Sequence, residues 1–134
     1  IERPLLVFPP WFDDAAVAAG RSYFEALGFT ASAVLRPDPG PGWRELQPGE
    51  LYGQGMAVQQ DVESTYRQIR DACPGDADGI LIAGTGFRCV SIIAALEHDL
   101  GRPVVTANQA SLWRCLRLSG VQAKVSGYGT LLET

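Results

Sequence analysis

Residues 79–88 read Gly-Ile-Leu-Ile-Ala-Gly-Thr-Gly-Phe-Arg, an apolar run that stops at a glycine-rich turn. A short continuous apolar stretch bounded by turn residues is the pattern of a strand buried on both faces. Beyond it, Ile93, Leu96 and Leu100 recur at helical spacing until Gly101 and Pro103. A helix over 89–100 is therefore expected. Strand, glycine turn and helix make one step of a parallel α/β sheet.

The same unit recurs on either side. Pro4–Phe8 reads PLLVF and ends at Pro9 and Pro10. Asp13 or Asp14 is placed to cap the helix that follows, in which Ala16, Gly20, Tyr23, Phe24 and Leu27 share a face until Gly28. Residues 30–35 form a second strand candidate. Residues 36–50 hold four prolines and three glycines and read as a long loop. Val58, Val62, Tyr66, Ile69 and Cys73 step by four, four, three and four, which predicts one amphipathic helix from 56 to 73. Residues 103–106 are a short fourth strand, and 108–118 a last helix carrying Leu112, Trp113 and Leu116. The expected fold is α/β: a three-layer sandwich around a four-stranded parallel sheet, order about 2-1-3-4, helices on both faces.

Length and charge bound the function. The 134 residues, 46% hydrophobic and 19% charged, are the size of one domain, so 1–134 is read as a single α/β domain. Fifteen acidic against eleven basic residues give a net charge of −4. That argues against nucleic acid, which asks for a clustered basic face, and against an anionic membrane surface. No apolar run approaches the ~18 residues of a membrane span. The first residue is Ile1, with no basic leader before an apolar core, so the chain reads as trimmed or as a piece of a longer one. Cys73, Cys89 and Cys115 are odd in number and far apart, which does not suit a disulfide framework. Reduced thiols in the cytoplasm are expected. With no CxxC and one histidine, no metal site is expected.

In an open parallel sheet, ligands bind beyond the carboxyl ends of the strands. Three such ends stand out: Pro9-Pro10-Trp11-Phe12-Asp13, Gly84-Thr85-Gly86-Phe87-Arg88, and Thr106-Ala107-Asn108-Gln109. The middle one carries the sharpest signal. Its glycines let backbone N–H groups approach a ligand, the following helix start favours an anion, and Arg88 offers a countercharge. A carboxylate or phosphate suits that set. A dinucleotide fingerprint would need glycine at Cys89, and no GKS or GKT follows for a triphosphate loop. On spacing alone, a tight structural turn is an equal reading.

The blocks Gly84–Arg88, Ala95-Leu96-Glu97, Leu100–Ala110, Leu112-Trp113 and Leu116-Arg117 resemble the aspartate/glutamate racemase superfamily, in its maleate cis-trans isomerase and arylmalonate decarboxylase branch. They resemble the C-terminal half of such proteins. Pro10-Trp11 and Gly127-Tyr128-Gly129 fit that half too. The resemblance implies two similar α/β halves with the active site between them and no cofactor. It also implies a cysteine after the third strand as acid, base or nucleophile, and backbone N–H groups holding a small carboxylate or dicarboxylate.

The sequence departs from this pattern where the chemistry lies. The family cysteine aligns with Gly84, its neighbouring asparagine with Gly86, and the tyrosine after the first strand with Trp11. The resemblance leaves Pro10, Trp11, Gly84, Thr85, Gly86, Phe87, Arg88, Asn108 and Gln109 as the substrate-binding set. The catalytic residue is open, and Cys89, expected in the first turn of a helix where a thiolate is favoured, is the candidate substitute. Cys73 and Cys115 are expected to pack, and His98 to be solvated. Replacing Gly84 with cysteine is expected to create or raise racemase-like activity. Two functions stay open: a cofactor-independent isomerase, racemase or decarboxylase, or a non-catalytic carboxylate-binding or scaffold domain. A lone half leaves its crevice face open, so self-association or an N-terminal half is expected to cover it.

Overall fold

The computed structural model describes residues 1–134. Four parallel strands form the sheet: β1 (Pro4–Val7), β2 (Ala33–Leu35), β3 (Gly79–Ile82) and β4 (Val104–Thr106), in the order β2-β1-β3-β4. The expected class and strand order are borne out. Register pairs Leu5 with Ala33 on one side and with Ile80 on the other, and Ile80 pairs with Val104. The central strands are apolar at nearly every position because both their faces are covered.

One face is tightly packed. Leu5, Val7, Ile80, Ile82 and Val104 meet Ile69 of α4 (Val62–Ala72) and Ile93 and Leu96 of α5 (Ile93–Leu100). Each such side chain, removed from water, contributes about 2 kcal/mol. The other face carries α1 (Asp14–Ala26) and α6 (Ala107–Leu118). There Gly20 lies against the Phe8 ring, and a Cβ on it would stand 2.4 Å from Phe8 Cε1. Asp13 caps α1 by accepting from the Ala16 N–H at 2.8 Å. No helix is long and apolar enough to cross a membrane.

The structure corrects several boundaries. On α1, Tyr23 and Leu27 are exposed, and the inward stripe is Ala16, Val17, Gly20 and Phe24. The loop at 36–50 ends in a short helix, α2 (Pro48–Leu51), with proline at its start and the Glu50 carboxylate accepting from the Gln47 N–H. The helix expected over 56–73 is two helices. α3 (Met56–Gln59) stops at Gln60, and Asp61 caps α4 by accepting from the Ser64 N–H at 2.9 Å. Val58, expected inward, is 75% exposed. The segment from 89 opens as a 3-10 turn, Val90–Ile92, before α5. Cys115 is exposed rather than packed, whereas Cys73 does pack against the core.

Candidate functional site

The residues at the ends of β3 and β4 converge as expected. Thr85, Gly86, Phe87, Arg88, Asn108 and Gln109 share one cleft of about 380 Å³ with Thr106 and Ser91. Asn108 ties the two ends together, its Nδ2 donating to the Thr85 carbonyl at 3.0 Å. Phe87 is buried, and its N–H donates to the Gly84 carbonyl at 3.3 Å, closing the turn. The N–H groups of Thr85 and Gly86 donate to nothing in the chain. They are two of the turn's unused backbone donors, the N–H groups of Gly84 and Cys89 being likewise unbonded.

Arg88 is tied elsewhere. Its Nη1 donates to the Val58 carbonyl at 2.7 Å, and its backbone N–H donates to Gln60 Oε1 at 3.0 Å. The Gln60 amide in turn donates to the Arg88 carbonyl and to Thr65 Oγ1. Gln60 is a buried brace for the turn, and the break between α3 and α4 is what aims it there. The periodicity of residues 56–73 hid it. The readable signal was Asp61 three residues before Ser64, a helix start.

Gln109 is also committed. It is buried, its Oε1 accepts from the Thr106 N–H at 3.2 Å, and its N–H donates to Thr106 Oγ1 at 3.2 Å. Thr106 is thus the cap of α6, in a reciprocal capping box. Gln109 Nε2 also donates to the Tyr128 carbonyl and holds down the C-terminal segment.

On the β1 side, Pro10 is buried and Trp11 half-buried. Trp11 packs edge-on against Phe87 at 5.8 Å and against Tyr52 at 5.4 Å. Neither Pro10 nor Trp11 lines the cleft, and Pro10 lines instead the space beside Asp38 and Pro39.

The candidate thiol is displaced. Cys89 precedes the 3-10 turn instead of opening a helix, and it is 2% exposed within the core. Burial pushes its thiol up to about 12, so it carries no thiolate near neutral pH. His98 is solvated and bonds Asp99.

Gly84 is held in a conformation that a side chain would strain. Its φ is +90°, and a Cβ there would lie 2.4 Å from Pro9 Cγ. A cysteine at this position meets both backbone strain and the proline ring. A thiol cannot simply be restored at 84 while the turn keeps its shape. No group of three or more His, Cys, Asp or Glu converges on a point that could hold a metal.

The parallel four-stranded α/β fold is one that solved enzymes share. Over 98% of this chain, the maleate isomerase of Pseudomonas putida superposes with a TM-score of 0.78 at 19% identity. The maleate cis-trans isomerase of Nocardia farcinica gives 0.77 at 18%. Arylmalonate decarboxylase gives 0.69 at 24% over 99% of the chain. The chain spans 48%, 48% and 52% of those proteins, about half of each. The family model described as arylmalonate decarboxylase matches residues 54–132. The arylmalonate decarboxylase of Bordetella bronchiseptica is 41% identical over 64 residues, 47% of this chain and 26% of that protein. The chain belongs to the arylmalonate decarboxylase family.

Proposed function

We propose that this chain binds the carboxylate of a small organic acid or diacid on the Thr85 and Gly86 N–H groups. On this reading it is one half of a cofactor-independent isomerase, racemase or decarboxylase. The observation that carries it is the pair of unused N–H groups at Thr85 and Gly86, residues that line the cleft beyond β3. Charge developing on a carboxylate or enediolate would meet fixed dipoles there, the oxyanion type of stabilisation. Asn108, bonded to the Thr85 carbonyl, holds the peptide that carries the Gly86 N–H. Val62 and Val90 supply apolar surface in the same cleft.

The acid–base or nucleophilic group then comes from outside these residues, from a second copy or a companion half covering the crevice. Gly84 has no side chain, and the Cys89 thiol is buried and protonated. The same two facts favour a second reading, a carboxylate-binding or scaffold domain that does no chemistry. Three free thiols fit a reducing, cytoplasmic setting for either.

Proton NMR of the chain in D2O with maleate, aspartate, glutamate and aryl- or alkylmalonates separates the readings. Loss of an α-proton signal, isomer conversion or decarboxylation supports the enzyme. Saturation transfer without conversion supports the binding domain. No transfer from any of these acids contradicts both.

A further inference from the structure

A polar side chain stands over the turn that neither sequence spacing nor the cleft geometry had brought in. Tyr52, one residue beyond α2, is 57% exposed, and its hydroxyl makes no hydrogen bond within the chain. Its position is nevertheless defined. Leu51, next to it, is buried at 1% exposure and anchors α2. The Tyr52 ring packs edge-on against Trp11 at an interplanar angle of 62°. Its far end lies on Gly86: a Cβ there would stand 3.0 Å from Tyr52 Cε2 and 3.4 Å from the hydroxyl oxygen. Gly86 carries no side chain, and one there would press on the tyrosine ring and shift it. Unlike Gly84, its φ lies outside the left-handed region.

We propose that Tyr52 is a ligand-binding residue of this site. Its hydroxyl donates to the same carboxylate that the Thr85 and Gly86 N–H groups hold. The inference rests on the carboxylate reading above and adds to it a side chain, at a turn that otherwise offers only backbone. The chemistry is consistent. A phenol is a neutral donor that can turn its O–H toward an anion without bringing a second charge. The unpartnered hydroxyl, the aromatic neighbour that fixes the ring and the missing side chain at Gly86 converge on one point. The ligand class that fits is a compact carboxylic acid small enough for a cleft of about 380 Å³.

The test is a set of NMR titrations of the chain and two variants with maleate and with phenylmalonate. Tyr52→Phe removes only the hydroxyl and keeps the ring packing. It is expected to raise Kd about tenfold for an acid the unaltered chain binds, the usual cost of a hydrogen bond to a charged group. Gly86→Val fills the place of the ring and is expected to weaken binding at least as much. Tyr52→Phe should then add nothing further in the Gly86→Val background. If the unaltered chain binds either acid and Tyr52→Phe binds it equally well, the role of Tyr52 is overturned and the carboxylate site stands. If the unaltered chain binds neither acid, both are overturned.

Discussion

After β4, Thr106 and Gln109 bond each other twice, and Gln109 spends its remaining donor on Tyr128. After β3, the N–H groups of Thr85 and Gly86 bond nothing. The two turns lie side by side in one cleft, yet the first closes a helix end and the second keeps its donors free. Polar groups that the fold has already satisfied stabilise it. Those it leaves unpaired beside a cleft are the ones available to a ligand. Asn108 links the two, being part of α6 while holding the Thr85 carbonyl.

The largest effect should come from the free turn's conformation. Gly84→Ala places a Cβ at φ +90° and 2.4 Å from Pro9 Cγ. A cost of about 3 kcal/mol is expected, part left-handed strain and part overpacking. Urea unfolding would show it, and Gly84→Cys should behave alike. A variant as stable as the parent would mean that the turn relaxes freely. Gln109→Ala breaks the satisfied turn instead. It removes an acceptor from the Thr106 N–H and a donor to Tyr128, at a cost of about 2 kcal/mol. Stability should fall much further than carboxylate affinity, and the reverse result would erase the contrast between the turns. Asn108→Ala should do the opposite on a smaller scale. It costs about 1 kcal/mol or less in stability, its bond being exposed, but loosens the Thr85 peptide. A few-fold loss of carboxylate affinity in the same titrations is the expected sign.

Much of this was legible in the residues. The apolar runs PLLV and GILI are buried strands, and alternating strand and helix patterns lead to the observed order. The cleft was legible too, since glycines after β3 and polar residues after β4 fall at carboxyl ends of adjacent strands. What periodicity missed were the breaks that long-range hydrogen bonds impose. A stripe spaced by about four residues ran through Gln60, whose side chain leaves the helix pattern to brace Arg88. Cys89 sits next to a glycine turn in sequence, but the 3-10 turn over Val90–Ile92 sinks it into the core. The left-handed Gly84 and the ring of Tyr52 over Gly86 depend on neighbours at 9 and 52, distant in the chain. No local spacing encodes them.

The central claim is that the unused donors of the β3 turn hold a carboxylate. The direct measurement is a proton–nitrogen correlation spectrum of the 15N-labelled chain titrated with maleate and phenylmalonate. Saturable shifts are expected to be largest at the Thr85 and Gly86 amides, with the bonded amides of Thr106 and Gln109 moving far less. Shifts centred on other residues, or none at Thr85 and Gly86 while an acid binds, would contradict the claim.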